Sequence, residues 1–507
     1  MNGGVVVTNE TPQPGNQESR PAGEERFPSE RELIVVAKPE AGLRATREGV
    51  TSTEEADVSS VADLLASEDV TLRPLFGVSE GRLKAETESL AATTRAEVPD
   101  LSVYYRVEAP EERLDEVAER LREQEVIDTA YVKPPVEPPQ LLNDMTPRSE
   151  EPPLHTPDFT ARQEYLNVAP GGIDAHYAWT QVGGQGGGVR IIDIEGAWRF
   201  AHEDLRWKQG GVVGGTESTD LGWRNHGTAV IGEFSGDRNA FGVTGICPNA
   251  NVRAISIFGG VGSAEAVRTA ADLLNPGNII LIELHRPGPR FNFQQRLDQR
   301  GYIAIEWWPD DFDAIRYATA RGAVIVEAAG NGAENLDDAI YNTRPTGFPA
   351  DWSNPFNRAN RDSRAIVVGA GAPPPGTHGR DHGPDRSRLD FSNWGALVDA
   401  QGWGREVTTC GYGDLQGGLG LNEDEWYTDR FSGTSSASPI VVGALGCVQG
   451  VLRAHNRTLL SPARARSLLR ETGSLQEDAP GWPSTQRIGN RPNLRQLLDR
   501  LDDDDDE

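Results

Sequence analysis

Ser435 stands in Gly433-Thr434-Ser435-Ser436-Ala437-Ser438-Pro439, directly ahead of an apolar run of helical period. A hydroxyl at the start of a buried helix lies near the positive end of the helix dipole. A nucleophile there can attack a carbonyl while backbone N–H groups receive the developing charge. Taken alone, the heptapeptide serves equally as a small-residue helix start. Two upstream segments bear on it. Val189-Arg190-Ile191-Ile192-Asp193-Ile194 reads as a buried strand ending in a carboxylate. Asn225-His226-Gly227-Thr228-Ala229 puts an imidazole at the start of a second small-residue helix. Asp, His and Ser in that chain order is one of the orders in which an acid–base–nucleophile triad is assembled. In that chemistry Ser435 attacks, His226 carries its proton, and Asp193 orients the imidazole.

Elements around these residues alternate. Strands are expected over 251–258, 279–284 and 323–328, with helices over 263–274 and 310–321. Such alternation predicts an α/β fold, a parallel sheet with helices on both faces, whose active groups gather at the carboxyl ends of the strands. Upstream, the order β-α-β-β-α-β between Glu32 and Val132 predicts a small ferredoxin-like α+β unit. The chain is expected to divide into a disordered leader (1–30), this unit (31–138), an exposed Pro-rich linker (139–160), the α/β domain (161–498) and an acidic tail (499–507).

From about Gly171 to about Leu498 the chain resembles the subtilases, the subtilisin-like serine proteases. The triad segments carry the resemblance, together with Val326-Glu327-Ala328-Ala329-Gly330-Asn331, Phe241-Gly242-Val243-Thr244-Gly245-Ile246-Cys247-Pro248 and Asp390-Phe391-Ser392-Asn393-Trp394-Gly395. It implies a serine endopeptidase working through an acyl-enzyme. Asn331 would bind the oxyanion, with substrate along Glu283-Leu284-His285 and Glu327-Ala328-Ala329-Gly330. Read by itself, Gly330-Asn331-Gly332 is also a turn former. The N-terminal unit resembles the family's propeptide, an intramolecular chaperone and inhibitor whose tail lies in the active cleft; an independent small domain is the other reading. The resemblance thus implies a self-processing zymogen acting on protein or peptide substrates. Asp204 and Asn239 resemble positions that hold a structural calcium in many subtilases, although Asp204 equally fits a helix cap.

Several residues depart from the family pattern. Glu195 follows Asp193 on the same face of an alternating strand and, turned toward the imidazole, would raise its pKa. Ser436 replaces the methionine usual after the nucleophile. Where the family tends to have Ser-Leu-Gly, this chain has Glu283-Leu284-His285, and the residues from there to Glu306 read as an inserted hairpin or loop over the cleft. Glu283, Glu306 and Glu327 could line an acidic pocket for a basic residue before the scissile bond, or be paired locally. A cleft blocked by His285 would leave the alternative of a catalytically idle scaffold acting as a binding or regulatory protein.

Bulk properties narrow the classes. The 507 residues carry a formal net charge of −28, which disfavours nucleic acid as a partner. The three cysteines, Cys247, Cys410 and Cys447, fit neither a zinc site nor a disulfide framework and are expected reduced and buried. Residues 1–30 are polar and lack the apolar core of a secretion signal, so cytoplasmic work or unconventional export is expected. No apolar run reaches the ~18 residues of a membrane span.

Overall fold

A computed structural model describes residues 29–506, apart from 48, 95–96, 141–146, 150–152, 208 and 419–421. Most of the expected leader lies outside the described residues.

The N-terminal unit contains β1 (Glu32–Ala37), β2 (Leu43–Thr46), β3 (Gly49–Ser52), α1 (Ser59–Glu68), β4 (Thr71–Pro74), α2 (Glu80–Thr94), β5 (Tyr104–Glu108), α3 (Leu114–Arg122) and β6 (Ile127–Lys133). The sheet order β4-β5-β1-β6, antiparallel throughout, is the ferredoxin-like arrangement. The β2–β3 hairpin and α2 are additions to the expected order. Both are nearly all polar, α2 burying only Glu80 and Leu83, so neither has the apolar period that marks an element in sequence. Strand β1 is buried on both faces. Leu33, Val35 and Ala37 meet α1 and α3 in one core, and Ile34 and Val36 join a second core shared with the following domain.

That domain is built on a seven-stranded parallel sheet of order β15-β14-β13-β10-β7-β9-β8. Its strands are β7 (Arg190–Glu195), β8 (Gln209–Gly214), β9 (Asn251–Ser256), β10 (Ile279–Ile282), β13 (Val324–Ala328), β14 (Ile366–Gly371) and β15 (Ala400–Trp403). Residues Ile191, Leu281 and Val326 pack toward α5 (Leu221–Ser235) and α8 (Ser438–Ala454) on one face. Ile192, Ile194 and Ile280 pack toward α6 (Gly262–Leu273) and α7 (Pro309–Ala320) on the other. The N-terminal sheet lies over α6 and α7, with Tyr104 and Tyr131 in the same core. The inserted segment folds as expected into a hairpin, β11 (His285–Pro287) antiparallel to β12 (Tyr302–Ala304).

Three expectations are corrected or refined. Residues 134–140, the end of the expected N-terminal unit and the first two residues of the expected exposed linker, are buried without exception, because they run through a groove of the second domain. The acidic tail is not a separate segment: α10 (Leu494–Asp506) carries the backbone through it. The run Thr434–Ala454 does have the length and mean hydropathy (1.5) of a membrane span, yet its most apolar 18 residues are all buried in this core. Cys247, Cys410 and Cys447 are free and buried, as expected.

Candidate active site

Ser435 sits in the turn that leads into α8, where Ser438 N–H bonds Thr434 C=O at 3.0 Å. Gly433, at φ +114°, gives the chain the approach it needs. A methyl group on Gly433 would lie 2.1 Å from Pro139 C=O and 3.2 Å from Asn331 Nδ2, so glycine, carbonyl and amide crowd one point. Ser435 Oγ donates to that Pro139 oxygen at 2.7 Å, and the Ser435 N–H points to it at 3.4 Å. The Asn331 amide is fixed from behind: its Oδ1 accepts from Thr434 N–H (2.9 Å) and Thr434 Oγ1 (3.1 Å), which leaves Nδ2 facing the groove. There it donates to Gln299 Oε1 at 3.1 Å.

His226 lies on α5, whose first turn is capped by Asp220 accepting from Trp223 N–H. Its Nδ1 is 2.7 Å from Glu195 Oε2, with both side chains fully buried. Nε2 is buried with no hydrogen-bond partner among the described residues. Burial lowers this imidazole to about 3, against a pull upward from Asp193, so it stands neutral with Nε2 available to take a proton.

The imidazole's carboxylate partner is therefore Glu195, not Asp193. Glu195 is the last residue of β7, at the carboxyl end of the sheet where active groups gather. Asp193 shares its face but lies one pleat back, and Trp198 Nε1 donates to its Oδ2 at 2.7 Å. The two carboxyls hydrogen-bond each other, which requires one of them to hold a proton. Asp193 Oδ1 and Glu195 Oε1 have no other donor. Burial raises both, and the bond between them raises Asp193 while lowering Glu195. Burial thus biases both carboxyls toward their protonated forms, and Glu195 is the one in contact with His226 Nδ1.

The expected acidic pocket is absent from the groove. Glu283 turns into the core, where it accepts from Ser438 Oγ. Burial raises its pKa, and Asp193, Glu195 and Glu233 add to the rise. Glu327 accepts from the Glu306 N–H at 3.1 Å, and Glu306 accepts from Ser363 Oγ. Burial pushes Glu306 up to about 7 and raises Glu327 as well. All three are folded into the helix layers, away from the nucleophile.

The groove holds residues 134–140 instead. Glu137 N–H bonds His285 C=O at 3.0 Å and His285 N–H bonds Glu137 C=O at 3.0 Å, an antiparallel pairing. His285 therefore does not block the groove; its backbone forms one wall, and its Nδ1 accepts from Asn331 N–H at 3.3 Å. Leu284 packs in the core. Ala328 lies within β13, Ala329 C=O accepts from Asn393 Nδ2 (2.7 Å), and Gly330 N–H donates to Thr434 Oγ1 (3.2 Å). These backbone groups thus brace the site from inside the fold. Gln140 is capped by Tyr412 OH donating to Oε1 at 2.7 Å.

Charge fastens the N-terminal unit in place. Lys133 Nζ, fully buried, meets Asp310 Oδ2 (2.5 Å), Asp311 Oδ2 (3.1 Å) and Glu32 Oε2 (3.2 Å). Arg286 of β11 donates to Pro134 C=O and to Glu32 Oε2, the latter at 2.9 Å. Sequence reasoning passed over Lys133, Arg286, Gln299 and Tyr302 as functional residues; the only signal was that two of them lie in the insertion and one in the altered strand.

The expected calcium pair does not fit a cation. Asn239 Nδ2 donates to Asp204 Oδ1 at 2.6 Å and Val243 N–H donates to Oδ2 at 2.6 Å. Both carboxyl oxygens thus face N–H donors, and burial pushes Asp204 up to about 8. Calcium requires an open set of oxygen ligands. No group of three or more His, Cys, Asp or Glu gathers among the described residues.

Comparison with known proteins agrees with this geometry. The chain is 27% identical over 270 residues to alkaline protease of Alkalihalobacillus alcalophilus, spanning 52% of this chain and 54% of that one. It thus spans about half the length of that relative. Subtilisin Savinase of Lederbergia lenta matches at 27% over 270 residues, 52% of this chain and 77% of that one. Among solved structures, fervidolysin from Fervidobacterium pennivorans aligns at TM-score 0.52 and 16% identity, covering 94% of this chain and 62% of that one. The epidermin leader peptide processing protease of Staphylococcus aureus aligns at 0.51 and 16%, covering 93% and 99%. Both structures bear on the fold alone. The profile of the subtilase family matches residues 172–492, the stretch that holds His226, Asn331 and Ser435. With that match across more than half its length, this chain belongs to the subtilase family.

Proposed function

We propose that this chain is a serine endopeptidase made as a zymogen that cuts itself between Pro139 and Gln140. The observation that carries the reading is the Pro139 carbonyl against Ser435 Oγ, 2.7 Å away, at the end of a buried segment paired with His285. Ser435 Oγ gives its proton to His226 Nε2 and attacks the Pro139 carbonyl carbon. The oxyanion forms beside Ser435 N–H and Asn331 Nδ2, once that amide is released by Gln299. Glu195, in contact with Nδ1, steadies the imidazolium. His226 then protonates the Gln140 nitrogen, the C–N bond breaks, and water hydrolyses the Pro139–Ser435 ester by the reverse proton path. After the cut, the chain up to Pro139 remains as an inhibitor held by Lys133 and Arg286, until its loss opens the groove to protein or peptide substrates.

The test is mass spectrometry of the purified chain beside its Ser435→Ala variant. Wild type yields a new N-terminus at Gln140, and the processed protein is labelled on Ser435 by a fluorophosphonate. Ser435→Ala stays whole. Cutting of Ser435→Ala at the same bond, or no labelling after the N-terminal unit is removed, refutes the reading.

A further inference from the structure

The hairpin inserted after His285 places an unusual set of donors around one side chain of the bound segment. Glu137, 6% exposed, is the third residue before the proposed scissile bond, counting Pro139 as the first. Tyr302 OH donates to its Oε1 at 2.7 Å, Gln295 Nε2 to the same oxygen at 3.2 Å, and Gln299 Nε2 to Oε2 at 3.3 Å. A buried carboxylate without such donors would cost several kcal/mol, so this cradle is what permits an acid there. The cradle is held stiffly. Tyr302 is fully buried and its ring lies 4.6 Å from the His285 ring. Gln299 is 1% exposed and adopts φ +53°, a left-handed conformation that non-glycine residues take up at a cost. That cost is offset by what Gln299 reaches: the Glu137 carboxylate, Pro138 C=O at 3.0 Å, and the Asn331 amide.

We infer that this hairpin is a carboxylate-binding subsite, so that the processed enzyme selects polypeptides with an acidic side chain three residues before the cut. The inference rests on the proteolytic reading and adds the substrate class. Recognition comes from the chain's own insertion: the backbone pairing with His285 fixes which side chain enters, and Tyr302, Gln295 and Gln299 read its charge. Gln299 links the reading to catalysis, since the same amide side chain touches both the acid and Asn331. A lysine in this position would bring a cation to Gln295 and Gln299 amide hydrogens and a buried phenol hydrogen. An uncharged glutamine would keep the shape and lose the charge-assisted bonds.

Three peptides, Val-Glu-Pro-Pro-Gln, Val-Gln-Pro-Pro-Gln and Val-Lys-Pro-Pro-Gln, each with a fluorophore and quencher at its ends, test this on the processed wild-type enzyme. The expected result is kcat/KM for Glu at least ~10-fold above Lys, with Gln between. Tyr302→Phe should lower the Glu rate by a larger factor than the Gln rate, narrowing the gap. Equal rates for all three peptides, or a Tyr302→Phe variant that lowers all three by one factor, overturn the subsite. A processed enzyme that labels with fluorophosphonate yet cuts none of the three overturns the subsite alone. Failure to label Ser435 at all overturns the proteolytic reading, and the subsite with it.

Discussion

Glu195 Oε2 lies 2.7 Å from Nδ1 of His226, both side chains shut off from solvent, and Asp193 stands behind Glu195 on the same face of β7. The pair divides one job. Glu195 holds Nδ1 of the imidazole, and Asp193 stands one pleat behind it with its own carboxyl on Trp198 Nε1.

That division predicts unequal effects of two amide substitutions. Glu195→Gln removes the charge and disturbs the tautomer of His226, and should lower kcat by ~10⁴, the scale known for the acid of such triads. Asp193→Asn keeps a donor toward Glu195 and an acceptor for Trp198, and should hold kcat within ~10-fold of wild type. Steady-state rates of the two processed variants decide it. A larger loss for Asp193→Asn than for Glu195→Gln would return the acid's role to Asp193.

Lys133 is the buried cation that holds the N-terminal unit to α7. Its loss leaves Asp310 without its counter-charge and Asp311 with only Arg286, at 3.8 Å, and breaking a buried pair from one side costs ~3–5 kcal/mol. Lys133→Ala should therefore weaken retention of the cleaved unit by ~10²–10⁴ and shorten the delay before activity appears. Asp310→Asn added to Lys133→Ala should restore part of the delay, since less charge is left unpaired. Progress curves on a quenched peptide, from freshly processed protein, show the delay directly.

Ser436 follows the nucleophile and is itself fixed, its Oγ donating to Trp403 C=O at 2.9 Å and Gly433 C=O at 3.1 Å. The sequence has 2 methionines, Met1 and Met145, neither beside the nucleophile. The position after the nucleophile thus carries no thioether to become a bulky polar sulfoxide. Activity should survive dilute peroxide with little change over a period in which Ser436→Met loses most of its own. A wild-type enzyme inactivated as fast as Ser436→Met would mean that another group near the site is the one oxidised.

The core of the fold was legible because parallel strands buried on both faces read as continuous apolar runs, as Ile279–Ile282 does, and because small-residue helices stand next to them. Ser435 and Asn331 were legible because each sits in a motif at an element end, and His226 because it lies in a small-residue helix, in the second turn of α5. The acid was harder: Asp193 and Glu195 share a face, and only the strand's stopping point decides which of them reaches the imidazole. The cradle was not legible at all. Tyr302 and Gln299 act through a hairpin whose turn has no local signature, and their target, Glu137, lies far off in the sequence. The acidic residues misled for a physical reason. Glu283, Glu306 and Glu327 look like a surface pocket in sequence, but each is turned inside the fold, where Ser438, Ser363 and a backbone N–H bind one oxygen of each. Polar α2 and the β2–β3 hairpin, lacking apolar period, were missed for the opposite reason.

Asp204 gives the stability of the folded chain a defined pH dependence. Burial pushes this carboxyl from 3.8 up to about 8, because the hydrogen bonds from Val243 and Asn239 do not repay the desolvation of its charge. A group whose folded pKa is raised takes up a proton on folding. Its contribution is fully present below 3.8 and is lost as pH rises through about 8. The melting temperature should therefore fall between about pH 5 and about pH 9, and fall less steeply in Asp204→Asn, which stays uncharged across that range. The same residue separates this account from a calcium site. A cation held by Asp204 would invert the trend, since the ionised carboxylate would then be the favoured form, and a chelator would lower the melting temperature of wild type but not of Asp204→Asn. With both oxygens already facing N–H donors, a chelator should leave the two curves where they are.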